Sequence, residues 1–155
     1  MDLRIVAIGE KPPSWVAEGV RSFSRRMPGH LPVTVVPVKA AGGGAKGDTQ
    51  RLRADEGRRL LAASEGCRRV ALDGGGHQWD TAKLARHLDG WMMDGADVAF
   101  LVGGADGLDN DCLASAELRW SLSALTLPHM LVRVILAEQL YRAWTVLNNH
   151  PYHRD

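Results

Sequence analysis

Four short runs rich in β-branched and other apolar residues constrain this chain more than any other feature. Leu3–Ile8 ends at Gly9, Val33–Val38 is bounded by prolines, residues 69–72 run into Asp73 and Gly74, and Val98–Val102 ends at Gly103; each reads as a strand. The segments between them carry helical spacing: residues 13–27 after a Pro-Pro start, residues 48–63, and residues 81–93, where Leu84, Leu88, Trp91 and Met92 recur at three- and four-residue steps. Strands joined by helix-length crossovers run parallel. The expected fold is therefore α/β, a mostly parallel sheet flanked by helices in alternating order. A short fifth strand is expected at residues 121–125 and a long last helix from residue 128 to about 148. No internal repeat or linker divides the chain, so residues 1–155 are expected to form one domain.

Composition narrows the class further. At 155 residues, 45% of them hydrophobic, a chain buries roughly two thirds of its unfolded surface and needs no metal or disulfide staple. The longest unbroken apolar stretch, Val98–Val102, is too short to span a bilayer, and the opening MDLRIVAIGE places charges where a signal peptide needs an apolar core. A cytoplasmic protein with no membrane contact is expected. Cys67 and Cys112 lack C-x-x-C or metal spacing and read as small buried or half-buried thiols, so no metal site is expected.

The formal charge of +1 conceals an asymmetry. Residues 1–69 hold 13 Lys+Arg against 7 Asp+Glu, and residues 70–155 hold 6 against 11. A basic half raises the prospect of a nucleic-acid partner, but from charge alone Arg25, Arg26, Arg51, Arg53, Arg58, Arg59, Arg68 and Arg69 read first as solvated helix faces and strand ends. The AAGGGAKG stretch at residues 40–47 lacks the G-x-x-x-x-G-K-[ST] spacing of a phosphate-binding loop. It reads as a mobile basic loop over a substrate, or as a plain surface loop.

The last helix is apolar nearly all round in its first half, through Leu131, Val132, Val134, Ile135, Leu136 and Ala137. A helix of that kind must be covered on both sides. If the sheet covers one side only, a second copy covers the other, so a homodimer is expected. The chemistry is expected at three loops that follow the third, fourth and fifth strands: residues 72–76, residues 103–107 and residues 121–127. Open α/β sheets bind ligands at the carboxyl ends of their strands. Glycines there let backbone approach a flat ligand, and the leucine-rich stretch supplies apolar walls and main-chain hydrogen-bonding groups, a combination suited to a purine-bearing cofactor. G-G-x-x-G at residues 103–107 is not the G-x-G-x-x-G fingerprint, so spacing alone leaves plain turns as the competing reading.

At these loops the chain resembles a known family. The strings FLVGGADGL, SLSALTLPHMLVRVILAEQLYRAW and NNHPYHRD resemble RlmH, the small SPOUT-class methyltransferase of bacterial large-subunit ribosomal RNA, and the likeness runs the length of the chain. The resemblance implies an α/β domain whose C-terminal part is tied in a trefoil knot, working as a homodimer. It implies S-adenosylmethionine as cofactor and methylation of N3 of a pseudouridine in the 23S ribosomal RNA of assembled ribosomes. Carried over by motif, the cofactor residues are Leu72, Gly103, Gly104, Leu122, Ser123, Ala124, Leu125, Thr126 and Leu127. The chain departs from the family in having Ala105-Asp106 where Pro-Glu is common and Gly74-Gly75 where the loop is often stiffer. Asp106 keeps a carboxylate but reads as a solvated turn residue.

Methyl transfer to a uridine-type N3 requires the N3 proton to leave. Candidate bases are His129 and His153, with Arg154 placed to stabilise a developing anion or grip a phosphate, and Tyr152 able to stack on an unpaired base. His129 follows Pro128 at the start of a helix and reads first as a structural neighbour of its cap. The resemblance implies that the terminal Tyr152, His153 and Arg154 reach the active site of the partner subunit. Trp79, Trp91, Trp120 and Trp144 read as core or interface. The rival readings are a non-catalytic ribosome-binding or assembly factor with this fold, and a phosphate-binding α/β enzyme acting on small molecules.

Overall fold

The computed structural model describes residues 1–42 and 48–154. Along the chain run β1 (Leu3–Ile8), α1 (Ser14–Ser24), β2 (Val33–Val38), α2 (Thr49–Ala63), β3 (Arg68–Gln78), α3 (Thr81–Asp94), β4 (Val98–Val102), α4 (Asn110–Ser115), β5 (Leu118–Ser121) and α5 (His129–Leu147). The strands form one sheet in the order β2-β1-β4-β3-β5, with every pairing parallel. β5 lies beyond β3, so the connection from β4 that carries α4 must cross β3 to reach the edge.

Alternation along the central strands sorts the core into two layers. Leu3, Ile5, Val98, Phe100 and Val102 join a cluster with Leu84, Leu88, Trp91, Leu136 and Leu140 of α3 and α5, while Val6, Ile8, Ala99 and Leu101 face Leu60 of α2 and Cys112 of α4. A strand buried on both faces reads as a continuous apolar run, which is why β4 has no polar residue at all. Helix ends follow local chemistry. Asp80 caps α3 by accepting from the Lys83 N–H at 2.8 Å, and Gly95 ends it in a left-handed conformation with φ 79°. α1 stops at Ser24, short of residue 27, because Pro28 disfavours helical geometry in the residue before it.

Two strands also differ from the sequence reading. β3 does not stop at residue 72 but continues to Gln78. Leu72 and His77 both pair with Trp120, so residues 73–76 leave the ladder as a bulge and the strand then resumes. Gly76 closes this bulge against Arg119, where a Cβ would lie 2.6 Å from the carbonyl carbon. The fifth strand is Leu118–Ser121 and not residues 121–125. Past it, the Ser121 hydroxyl donates to the Ser123 carbonyl at 3.0 Å and the Ser123 hydroxyl accepts from the Leu125 N–H at 2.9 Å. These local bonds satisfy backbone groups that a longer strand would have given to the sheet.

α5 lies on the sheet between α1 and α3, and none of its residues is fully exposed. The premise that the sheet alone could cover it within one chain is therefore corrected: two neighbouring helices flank it. Its centre holds Arg133, 1% exposed, whose Nη2 donates to the carbonyls of Ile8 at 2.9 Å and Gly9 at 2.7 Å where β1 ends. Burial lowers the pKa of this guanidinium.

Candidate active site

β4, β3 and β5 are consecutive neighbours in the sheet and parallel, so the segments leaving their carboxyl ends must lie side by side. They enclose a cavity of about 430 Å³, within the usual size of small-molecule sites. The β3 bulge contributes Leu72, Asp73 and Gly74; the turn after β4 contributes Gly103, Gly104, Ala105 and Gly107; the segment after β5 contributes residues 121–127; and α5 contributes His129 and Val132.

Close backbone approach shapes the turn after β4. Gly104 and Gly107 form a bridge, Gly107 has φ +78°, and a Cβ on Gly103 would lie 2.5 Å from the Gly107 carbonyl carbon. No side chain fits at residue 103 without moving backbone. Leu72, Leu122, Leu127 and Val102 provide aliphatic lining, and Leu125, 74% exposed, stands on the rim. Below them Trp120 is buried, stacked on Trp79 with ring centroids 4.8 Å apart, and its Nε1–H has no acceptor among the described residues. Trp79 in turn stacks on His87 at 4.2 Å. Burial lowers the pKa of His87, with Lys83 and Arg86 adding to the effect.

All nine residues expected to hold the cofactor, Leu72, Gly103, Gly104, Leu122, Ser123, Ala124, Leu125, Thr126 and Leu127, line this one cavity. Their chemistry fits an adenosyl group: a glycine turn, aliphatic walls and a stretch of main-chain N–H and C=O groups. Ala105 and Gly107 line the cavity but Asp106 does not; Asp106 is exposed and its carbonyl accepts from Arg53 Nη1 at 3.3 Å. The loop reading for residues 40–47 falls largely on residues 43–47, which lie outside the described residues. Asp73, Val102, Gly107, Trp120, Ser121 and Val132 also line the cavity without having been singled out as cofactor residues. The Asp-Gly-Gly-Gly string was the available signal for Asp73, and for Trp120 there was none beyond its hydrophobicity.

The terminal residues sit elsewhere in their own chain. From His129 at the cavity to Thr145 the α5 axis rises roughly 24 Å, and the tail folds back along the second half of this helix. The Tyr152 hydroxyl donates to Glu138 Oε2 at 2.8 Å, its ring packs 4.7 Å from Tyr141, and the Arg142 guanidinium lies 4.9 Å above it. Burial, followed by the Glu138 carboxylate, raises the pKa of this phenol. His153 Nδ1 is 3.2 Å from Thr145 Oγ1, and Arg154 is exposed. The structure thus brings the cofactor candidates together with His129 and leaves Tyr152, His153 and Arg154 apart from them.

Comparison with known proteins adds to this geometry. A family model described as "Predicted SPOUT methyltransferase" matches residues 1–153. The chain is 53% identical over 154 residues to "Ribosomal RNA large subunit methyltransferase H" of Alkalilimnicola ehrlichii, covering 99% of each. Among solved structures, a probable methylase family protein from Haemophilus influenzae Rd KW20 superimposes with a TM-score of 0.62 at 14% identity, over 99% of this chain and 70% of that one. TrmJ from Z. mobilis ZM4 gives 0.52 at 13% identity, over 93% and 70%. At those identities the two structures speak for the fold alone. The full-length match of sequence, rather than the shared architecture, decides the family: the chain belongs to the RlmH family of SPOUT methyltransferases.

Proposed function

We propose that this chain methylates N3 of a pseudouridine in the large-subunit RNA of the assembled ribosome, as a homodimer using S-adenosylmethionine. The observation that carries the reading is the single cavity at the carboxyl ends of β4, β3 and β5, in a chain that is 53% identical from end to end to a large-subunit ribosomal RNA methyltransferase. S-adenosylmethionine supplies a methyl group on a sulfonium, open to in-line displacement. Leu122, Ser123, Ala124, Leu125, Thr126 and Leu127 would hold the adenosyl group through main-chain groups and aliphatic walls. Leu72 closes one side, and Gly103 and Gly104 permit close approach.

Because the displacement is in line, the chain's main task is to align donor and acceptor. N3 would take the methyl group as its bond to sulfur is released, and the chain must provide a base for the N3 proton. Within one chain His129 is the ionisable base at the cavity besides the Asp73 carboxylate, among the described residues. His153 would have to come from a second copy, since its own cavity lies at the other end of α5. From there Arg154 would offset charge developing on O2 or O4, or hold a phosphate, and Tyr152 would stack against the target base or its neighbour. A composite site of this kind makes the dimer a requirement of the chemistry.

Mass spectrometry of ribosomal RNA from cells with and without the chain tests the activity and the substrate together. The modified pseudouridine should disappear with the chain. Its persistence, with ribosome binding intact, would favour a non-catalytic assembly factor. Mixing a Gly103→Val chain with a chain lacking residues 152–155 tests the composite site: each alone should be inactive, and the mixture should recover activity through one intact site per heterodimer. No recovery from chains that still associate would remove the tail from the site.

A further inference from the structure

We propose that Asp73 is the ribose-binding residue of the cavity, its carboxylate accepting from the vicinal hydroxyls of the adenosyl group; this rests on the cofactor reading above. The β3 bulge explains why this side chain stands where it does. Residues 73–76 leave the ladder between two residues that both pair with Trp120, and three of the four are glycine. Asp73 is therefore the one side chain the bulge presents. A Cβ on Gly75 would come within 3.3 Å of Asp73 Oδ2, so the bare backbone at residue 75 leaves room for the carboxylate.

Asp73 is half-buried, lines the cavity, and has no hydrogen bond or ion pair among the described residues. Of the other acidic side chains beside these loops, Asp109 accepts from the Cys112 N–H, Glu56 accepts from the Ala41 N–H, and Asp106 is exposed outside the cavity lining. Asp73 is the one anionic side chain lining the cavity among the described residues, where the remaining polar groups are main chain, hydroxyl, indole and imidazole. A carboxylate on the cavity wall that no protein donor occupies is free to accept from the hydroxyls of a ligand. An adenosyl group offers two adjacent hydroxyls, which match the two oxygens of a carboxylate. An acidic residue at the carboxyl end of a parallel strand performs the same service in dinucleotide-binding sheets. This contact needs no proton transfer, unlike a role as base towards N3.

Calorimetry tests the assignment with three ligands: S-adenosylhomocysteine, its 2′,3′-dideoxy analogue, and 5′-methylthioadenosine, which keeps the ribose but lacks the amino acid. Asp73→Ala should weaken S-adenosylhomocysteine and 5′-methylthioadenosine by roughly ten- to hundredfold each, and leave the dideoxy analogue unchanged. Asp73→Asn, which keeps the shape, should fall between. The wild-type chain provides a measure that needs no variant, since the dideoxy analogue should bind it as weakly as S-adenosylhomocysteine binds Asp73→Ala. Three results would overturn the assignment while the cofactor reading stands: unchanged binding by Asp73→Ala, equal losses for the parent and dideoxy ligands, or a loss confined to the ligand that carries the amino acid. Failure of the wild-type chain to bind S-adenosylhomocysteine at millimolar concentration would overturn the cofactor reading itself, and this assignment with it.

Discussion

Adding one methyl group at each of three glycines around the cavity should produce three different outcomes, set by what each new Cβ would meet. At Gly103 the Cβ lies 2.5 Å from the Gly107 carbonyl carbon, 2.6 Å from its oxygen and 3.0 Å from the Leu108 nitrogen. All three are backbone atoms, and the turn is closed by the Gly104–Gly107 bridge, so relief requires the turn itself to move. Overpacking of that kind costs about 1–3 kcal/mol. At Gly76 the Cβ meets the Arg119 carbonyl at 2.6 Å and the Trp120 nitrogen at 2.8 Å, a similar conflict against β5. At Gly74 it meets nothing within 4 Å. Alanine there should be neutral or stabilising by about 0.4–1 kcal/mol, through the lower entropy of the unfolded chain. At roughly 2–4 °C per kcal/mol for a chain of this size, Gly103→Ala and Gly76→Ala should lower Tm by about 2–12 °C. Gly74→Ala should leave it level or raise it by a few degrees. Because residue 103 lines the cavity and residue 76 does not, Gly103→Ala should also weaken S-adenosylhomocysteine binding more than its loss of stability explains. Thermal unfolding with and without ligand reads both effects. A Gly103→Ala chain that melts and binds like the parent would refute the claim that backbone contact sets the shape of this turn.

Two further outcomes follow from buried titratable groups. Burial, helped by a hydrogen bond to Asp109, pushes the Cys112 thiol up to about 12, and its Sγ donates to the Gly57 carbonyl at 3.5 Å. Iodoacetamide at pH 8 should therefore label the folded chain at half-buried Cys67 alone, and label both cysteines in denaturant; peptide mapping that finds Cys112 labelled in the folded state would contradict its burial. For His87, the pKa is depressed in the folded state from 6.5, first by burial and then by Lys83 and Arg86. The unfolded chain therefore takes up the proton more readily, so this contribution to stability is complete above pH 6.5 and is lost as pH falls through the lowered value. His87→Phe, which keeps an aromatic ring against Trp79, should flatten the acid side of a plot of urea midpoint against pH. An unchanged slope would place the acid sensitivity elsewhere.

Much of this architecture could be read before any coordinates. β1, β2 and β4 fall where their apolar runs fall; β4, covered on both faces, has no polar position to blur its ends, and β1 and β2 are marked by β-branched runs, one stopping at Gly9 and the other starting after Pro32. Helix ends were readable within a residue where a cap is local, as at Thr81 after Asp80, and misread where a proline four residues further on acts backwards, as at Ser24. The fifth strand was displaced because Ser121 and Ser123 turn the chain through their own hydroxyls, and periodicity does not register such bonds. The cavity-lining glycines and leucines were legible from their place after strands. Asp73 was quoted only as part of its loop, since nothing local says that the strand around it bulges and then resumes.

By itself the sequence determined the alternating parallel fold and the family, because both rest on local runs and strings that need no partner elsewhere in the chain. Which strands lie beside which was settled only in three dimensions. The order β4-β3-β5 arises from packing between residues far apart in sequence, and it turns three separated loops into the walls of one cavity. The same holds for α5: its apolar first half was plain, but its cover by α1 and α3, and the anchoring of Tyr152 to Glu138 at mid-helix, depend on where those elements come to rest. Side chains bound to neighbours along the chain announce themselves in its letters. Those that meet across the fold do so because the whole chain has collapsed around them.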